Sequence, residues 1–380
     1  MEIQSRLPET GTSIFTVMSR LAAECGAINL SQGFPDFDID PDLIELVHQA
    51  MRTGHNQYAP MPGLPVLRQA IAAVVQQTYQ RPTDPETEVT VTPGGTAALY
   101  ATITAFVKPG DEVIIFDPSY DSYGPAVRLN GGIPVHINLR PPHFEIPWGK
   151  LEASLTPRTR MIVINTPHNP CGSILSLEDI QKFSDLCLKH NLILLSDEVY
   201  ERIIFEGKTH HSVLANSKLM DRCVAVFSFG KTFHVTGWKT GYVIAAPNLT
   251  QEIRKAHQFI TFSVNTPVQH GVAAYLQNPS RYESLGSFYQ QKRDFFLKQL
   301  EGSPFRPLPC FGSYFQLVSY EGYSDENDRM LAERLTREAG IATIPVSVFY
   351  KDGSDHKLLR LCFAKKEETL EAAGRILRNL

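Results

Sequence analysis

What this 380-residue chain lacks narrows its class before any motif is considered. No apolar run approaches the ~20 residues that a membrane-spanning helix needs. The opening Met1-Glu2-Ile3-Gln4 has no basic stretch followed by an apolar one, so a secretory signal is not expected. The six cysteines (Cys25, Cys171, Cys187, Cys223, Cys310 and Cys362) are scattered and form no C-x-x-C pair. In a chain this long that pattern reads as reduced, mostly buried thiols in a cytoplasmic protein. The 12 histidines include no H-E-x-x-H helix and join no cysteine ladder, so no metal site is expected. His210 and His211 are adjacent, point in different directions, and read as loop residues. Positive charge is dispersed, with 36 Lys and Arg against 40 Asp and Glu, a net charge of -4 and no polybasic run. Neither nucleic acid nor an anionic membrane is an expected partner. Internal repeats and low-complexity stretches are absent too.

What is present fits a globular protein, with 43% apolar and 20% charged residues. The length exceeds the roughly 250–300 residues at which a single core stops growing, so two subdomains are expected. Residues 1–40 read as an N-terminal arm belonging to the smaller subdomain. They hold one apolar-periodic segment, Ile14 to Ala23, and the turn-rich Gly33-Phe34-Pro35-Asp36. Residues 41–278 form the expected large domain. Its strands are predicted at Val89–Thr92, Val113–Phe116, Ile133–Leu139, Met161–Asn165, Leu192–Ser196, Cys223–Phe227 and Tyr242–Ala245. Several, such as Val113-Ile114-Ile115-Phe116, are apolar almost throughout, as strands buried on both faces of a largely parallel sheet are. Helical spacing at Thr96–Phe106 and Leu177–Lys189 completes an α/β pattern. Residues 279–380 change texture. A helix at Pro279–Leu300 is followed by Tyr314–Val318, Met330–Ala339, Leu358–Phe363 and a terminal helix Glu367–Leu377, an α+β unit.

In α/β folds the chemistry sits in loops after the strand C-termini. After the first strand, Pro93-Gly94-Gly95-Thr96 opens a helix whose free N–H groups suit a phosphate, although a plain strand–helix turn accounts for it equally. After Leu192–Ser196 come Asp197 and Glu198. Acids at the end of a buried strand are costly unless paired or functional, and a helix N-cap is the bland alternative. After Cys223–Phe227 comes Ser228-Phe229-Gly230-Lys231-Thr232. A P-loop would need glycine at position 225, which is alanine, so that reading fails. A strand-end lysine beside Ser and Gly suits an amine that forms a Schiff base, or simply a loop lysine. The run Asn165 to Gly172 is turn chemistry on any reading. Taken together, a phosphate cradle, a carboxylate, a lysine and a second cation, Lys239, stand in order at the strand ends. Pyridoxal 5'-phosphate (PLP) requires that set.

At these residues the chain resembles the PLP-dependent aminotransferases of fold type I, class I/II, from Ile28-Asn29-Leu30 to Arg360. Gln32-Gly33-Phe34-Pro35-Asp36-Phe37, Tyr58-Ala59-Pro60, Asp117 to Tyr123 and Asn165 to Pro170 are most similar to the methionine, kynurenine and glutamine aminotransferase branch. The resemblance implies the PLP-dependent transferase fold type I, a mainly parallel seven-stranded sheet plus a smaller α+β domain. It implies Lys231 as the Schiff-base lysine and proton shuttle, with Asp197 paired to the ring nitrogen. Tyr200 and Asn169 would bond the ring hydroxyl, and Tyr120 would stack on the ring. Gly95, Thr96, Ser228 and Lys239 would hold the phosphate, Lys239 standing where many relatives carry arginine. Tyr58 would reach the phosphate of a second subunit's site, which makes the expected assembly a homodimer with shared active sites. Arg360 would take the substrate α-carboxylate, with Gly33 and Asn169 beside it.

No second arginine for a dicarboxylate side chain stands out. Phe15, Phe34, Tyr58 and Phe262 are candidates for an apolar pocket or lid, so a neutral amino acid (methionine, aromatic or glutamine-like) and a 2-oxo acid are the expected substrates. A C–S β-lyase or another elimination enzyme could use the same residues, because fold and cofactor do not dictate the reaction. A transcription regulator with an aminotransferase-like half would need a DNA-binding domain, and only about 30 residues precede the family-like segment.

Overall fold

The structure is a computed structural model that describes residues 3–380; Met1 and Glu2, which open the N-terminal arm, lie outside the described residues. The arm carries α1 (Ile14–Cys25). The Ser13 hydroxyl accepts the Thr16 amide at its start, and Gly26 closes it at φ 62°. After it come β1 (Ile28–Asn29), α2 (Pro41–Arg52) and α3 (Pro65–Tyr79).

Strands and helices then alternate. The order is β2 (Val89–Thr92), α4 (Gly95–Phe106), β3 (Glu112–Asp117), α5 (Tyr123–Leu129), β4 (Ile133–Asn138), α6 (Trp148–Ser154) and β5 (Thr159–Asn165). It continues with α7 (Leu177–His190), β6 (Ile193–Asp197), β7 (Cys223–Ser228), the single-turn α8 (Phe229–Thr232) and β8 (Gly241–Ala245). Two helices, α9 (Pro247–Ile260) and α10 (Thr266–Tyr275), end this part.

β2 to β8 form one seven-stranded sheet in the order β2-β8-β7-β6-β5-β3-β4. Every pairing from β7 to β4 is parallel, while β8 runs antiparallel to both of its neighbours. The seven predicted strands are all present; only Leu139 and Leu192 fall just beyond a strand end. Side chains alternate across this sheet, and two cores result. Val113, Ile115, Val163, Leu195 and Val226 pack with α4, α5 and α9 on one face. Ile114, Phe116, Ile162, Leu194 and Phe227 face the larger core that continues into the C-terminal part.

The predicted helix at Pro279–Leu300 is interrupted at Ser284, giving α11 (Ser280–Glu283) and α12 (Leu285–Leu300). The break coincides with a close approach of backbones. A Cβ on Gly286 would stand 2.8 Å from the Ile204 carbonyl oxygen, so only glycine fits there. Beyond lie β9 (Arg306–Pro307), β10 (Phe315–Ser319), α13 (Asp328–Arg334), β11 (Ile341–Ala342), β12 (Ile344–Pro345), β13 (Leu358–Cys362) and α14 (Glu367–Arg378). After α13 the backbone widens into a π-helical turn at Leu335–Ala339 before Gly340 ends it. β12, β13, β10 and β9 make an antiparallel sheet. β1 pairs in parallel with β11, which ties the N-terminal arm to this part of the chain.

Candidate active site

The sheet's register assembles the site. Gly241, the first residue of β8, is opposite Thr92 on one side and Ser228 on the other. That single row gathers the ends of β2 and β7 with the start of β8. Because β8 is antiparallel, the residues leading into it, including Lys239, arrive at the same edge as the C-termini of the parallel strands. A second row sets Asn165 opposite Asp197. The two rows frame a cavity of about 250 Å³, lined among others by Gly33, Gly95, Thr96, Tyr120, Asn169, Asp197, Tyr200, Ser228, Lys231, Lys239 and Arg360.

At one end of the cavity, α4 begins. Gly94 precedes it at φ 85° and ψ 173°, a conformation essentially reserved for glycine, and no side chain caps the helix. Its first N–H groups therefore remain open to an anion. A Cβ on Gly94 would lie 3.4 Å from the Lys239 amine, so cation and helix terminus address the same space. Ser228 joins them in the lining.

Lys231 follows from the one-turn α8. Its Nζ donates to the Tyr314 hydroxyl at 2.8 Å and to the Gly33 carbonyl at 3.3 Å. Burial pushes this amine down to about 8, with Arg360 and Lys239 adding to the effect. Asp197, at the end of β6, is buried. Burial raises its carboxyl to about 6 against the opposing pull of two hydrogen bonds, one from the Tyr123 hydroxyl and one from the Val199 amide. Asp197 is not a helix N-cap: β6 ends on it, and an irregular turn follows. Its neighbour Glu198 is also buried and is satisfied on the other side by the Ser196 hydroxyl, the Val213 amide and His210 at 2.7 Å. His210 thus lies in a loop, as expected, but is a buried partner of a carboxylate.

The Tyr120 hydroxyl lies 3.2 Å from that of Thr96. The Asn165 amide oxygen accepts the Asn169 backbone N–H at 2.7 Å, while its nitrogen donates to the Asp197 carbonyl at 2.8 Å, so one side chain braces two neighbouring loops.

Arg360 projects from the middle of β13 and is fully buried. Its guanidinium donates to the Asn169 side-chain oxygen at 2.9 Å and to the Ser31 carbonyl at 2.8 Å, while Nε has no partner. Phe315 lies under the guanidinium at 3.9 Å, with Phe15 at 5.1 Å and Phe349 at 5.5 Å. Among the described residues no acid forms an ion pair with it. Burial pushes it down to about 10. A buried cation with neutral partners is costly, and the cavity is where an anion can reach it.

Of the residues given a part in cofactor or substrate binding, all but Tyr58, Phe34 and Phe262 line the cavity. Phe34 is partly exposed under the Lys365 amine. Tyr58 is 82% exposed and packs edge-on against Phe262, which is itself exposed. Neither phenylalanine is a wall of this chain's own cavity. Residues not foreseen include Phe315, Tyr314, Asn165 in its bracing role, and Gln32, whose side chain donates to the Phe15 carbonyl at 3.1 Å. Phe315 and Tyr314 sit in an ordinary apolar strand pattern, which hides them. Asn165 and Gln32 fell inside quoted motifs and carried a usable signal.

The fold and the cavity together define an enzyme class, an α/β transferase whose strand ends present a buried lysine, a buried carboxylate and an open helix terminus. Comparison with known proteins makes this specific. The sequence pattern of aminotransferase class I and II matches residues 26–376. A methionine aminotransferase of Escherichia coli is 50% identical over 378 residues, covering 99% of this chain and 98% of that one. A kynurenine–oxoglutarate transaminase 3 of Rattus norvegicus is 34% identical, covering 98% of this chain and 89% of its own. The crystal structure of YbdL from Escherichia coli, described as having a methionine aminotransferase function, superposes with a TM-score of 0.98 at 50% identity, covering 100% of both chains. The chain belongs to the class I and II aminotransferases, and it is an amino-acid transaminase.

Proposed function

We propose that this aminotransferase uses pyridoxal 5'-phosphate, held by Lys231, to move the amino group of a neutral amino acid, methionine foremost, to a 2-oxo acid. One observation carries the reading. A single cavity combines an amine depressed by burial, a buried carboxylate without a cationic partner, an uncapped helix terminus and a buried guanidinium without an anion. Each of these costs stability on its own, and each finds a partner in PLP or in an amino acid. When bound, PLP supplies an electron sink for the substrate's α-carbon.

The chain's own residues then take distinct parts. The backbone of Gly95 and Thr96, the Ser228 hydroxyl and Lys239 hold the phosphate. Asp197 faces the ring nitrogen, Tyr200 and Asn169 the ring hydroxyl, and Tyr120 one face of the ring. Arg360, positioned by Asn169 and Ser31, receives the substrate carboxylate, with Gly33 close by. The Lys231 amine, once free, accepts and returns the substrate's α-proton. A low proton affinity makes it neutral enough to do so near physiological pH.

The choice of a neutral side chain rests on the cations lining the cavity. They are Lys231, Lys239 and Arg360, and all three already have a task, while Phe15, Leu99 and Phe315 supply apolar wall. The 50% identity to a methionine aminotransferase supports methionine among neutral substrates. Tyr58 completes the site of a second copy, so the working form is a homodimer. Residues 1–40 and 279–380 make up the small domain, and 41–278 the large one. Free thiols at all six cysteines, five of them buried, support a cytoplasmic enzyme.

The purified protein, supplied with PLP, is expected to show a visible absorption band that methionine bleaches. The 2-oxo acid of methionine should then form in step with amination of an added 2-oxo acid. In Lys231→Ala the band should be absent. A band unchanged in that variant would overturn the assignment of Lys231, and release of thiol with ammonia in place of transamination would mark an elimination enzyme.

A further inference from the structure

Tyr123 lies outside the lining of the catalytic cavity. Its ring borders a small separate hollow of about 20 Å³ together with Asn165 and His168. The side chain is buried among Ala126, Val127, Val163 and other apolar neighbours, and nothing in the roles given above requires it to be a tyrosine. Yet its hydroxyl makes one hydrogen bond, and makes it to the side of Asp197: Oη donates to Oδ2 at 2.6 Å. Burial and the adjacent carboxylate raise the phenol well above its usual range, so the proton stays on Tyr123 and Asp197 is the acceptor. The other carboxylate oxygen, Oδ1, receives only the 3.3 Å bond from the Val199 amide. The same short turn supplies the stacking ring. The Tyr123 amide donates to the Tyr120 carbonyl at 3.2 Å, and the two rings meet edge to face at 5.7 Å and 81°.

We propose that Tyr123 is a positioning residue that acts through Asp197 to keep the proton on the cofactor's ring nitrogen. This rests on the reading that Asp197 faces that nitrogen. A buried carboxylate and a ring nitrogen sharing one proton have two forms, an ion pair and a neutral pair. A donor on the carboxylate stabilises its ionised form more than its neutral one, so the Tyr123 hydroxyl favours the ion pair. A hydrogen bond to a charged group is strong enough to shift the ratio of the two forms by about tenfold. Ring protonation is what makes the ring an effective electron sink, so a group outside the cavity would govern the property on which the reaction depends. Together with the Val199 amide on Oδ1, the bond to Oδ2 restrains the carboxylate's orientation.

The test is the ring-nitrogen NMR signal of 15N-labelled PLP bound to the dimeric enzyme at fixed neutral pH. In the wild-type protein the signal should lie at the pyridinium position. In Tyr123→Phe, with cofactor still bound, it should move toward the neutral-pyridine position that Asp197→Asn defines. In the Asp197→Asn background, adding Tyr123→Phe should cause no further shift. Should loss of the hydroxyl's volume prevent Tyr123→Phe from folding, 4-fluorophenylalanine at position 123 fills the same space without donating, and the same shift is expected. An unmoved signal in a variant that binds cofactor would overturn the proposal. So would a shift that persists in the Asp197→Asn background. A wild-type signal at the neutral position, or no bound signal at all, would instead overturn the underlying assignment of Asp197 and its cofactor.

Discussion

Burial moves Lys231 and Asp197 toward each other along the pH axis. The amine falls from the usual 10.5 to about 8, and the carboxyl rises from 3.8 to about 6. The sign of each shift has a consequence. A lowered amine is neutral, and therefore nucleophilic, above about pH 8, while a raised carboxyl is ionised only above about pH 6. Capture of PLP by the cofactor-free protein, followed by stopped-flow absorbance, is therefore expected to quicken between pH 6 and 8 and to level off above that range. A profile that climbs only near pH 10 would mean that the amine is not desolvated. Arg360 offers a second test at this scale. If its carboxylate partner comes from the substrate, Arg360→Ala should weaken methionine binding by about a hundredfold, the typical cost of removing one partner of a buried charged pair. The cofactor spectrum should be preserved. Arg360→Lys should recover little, because a point charge cannot reproduce the two-pronged contact. Loss of the spectrum in Arg360→Ala would make the residue structural.

At the scale of elements, α4 matters most to the site. Its start is set by Gly94, whose φ of 85° a side chain tolerates poorly. Gly94→Ala should cost about 1–3 kcal/mol of stability in strain and should weaken PLP binding by crowding Lys239. Gly149→Ala is the control: it lies in α6 with nothing within 4 Å of the added Cβ, and it should leave cofactor affinity unchanged. Equal effects of the two in a PLP titration would show that the α4 terminus holds no phosphate. The strands of this sheet were legible in the sequence because near-continuous apolar runs are what two-sided burial produces. α7 was legible from its helical spacing, and its ends are set locally by the Ser176 capping box with Asp179 and by the left-handed Asn191. Among the helices not foreseen, besides the short α5, α6 and α8, are the longer α2, α3, α9 and α10. Each of these four longer helices starts with proline in its first turn, a residue that marks helix starts but equally marks loops. The break at Ser284 was invisible, and the close approach that coincides with it, Gly286 against the Ile204 carbonyl, joins residues distant in sequence.

On the scale of the whole molecule, the exposed aromatic cluster of Tyr58, Phe259 and Phe262 stands out, with Phe259 at 86% exposure. Such a patch is expected to be covered by a partner. If Tyr58 serves the other subunit's site, two inactive variants should complement each other. Tyr58→Ala and Lys231→Ala subunits, mixed through reversible unfolding, should form hybrid dimers in which one site has both residues intact. Transaminase activity should reappear in the mixture at up to half of the hybrid dimers' sites. No recovery in dimers shown to be mixed would place Tyr58 outside the shared site.

The sequence by itself determined the strand beat of the seven-stranded sheet, the order of chemistry-bearing residues at the strand ends, and Lys231 and Asp197 as candidates, while Asn169 and Arg360 came from the family resemblance. Those features are local: burial periodicity, turn chemistry and charged residues in apolar runs can all be read along the chain. What only the tertiary structure decided was relation across the chain. The antiparallel insertion of β8 brings Lys239 to the edge where Gly94 and Ser228 end. The pairing of β1 with β11 carries Ser31 to Arg360 and Gly33 to Lys231. Tyr123, at the start of α5, meets Asp197, at the end of β6, across 74 residues of sequence. Register and strand direction are long-range properties, fixed by how two cores close around one sheet, and no window of the sequence contains them.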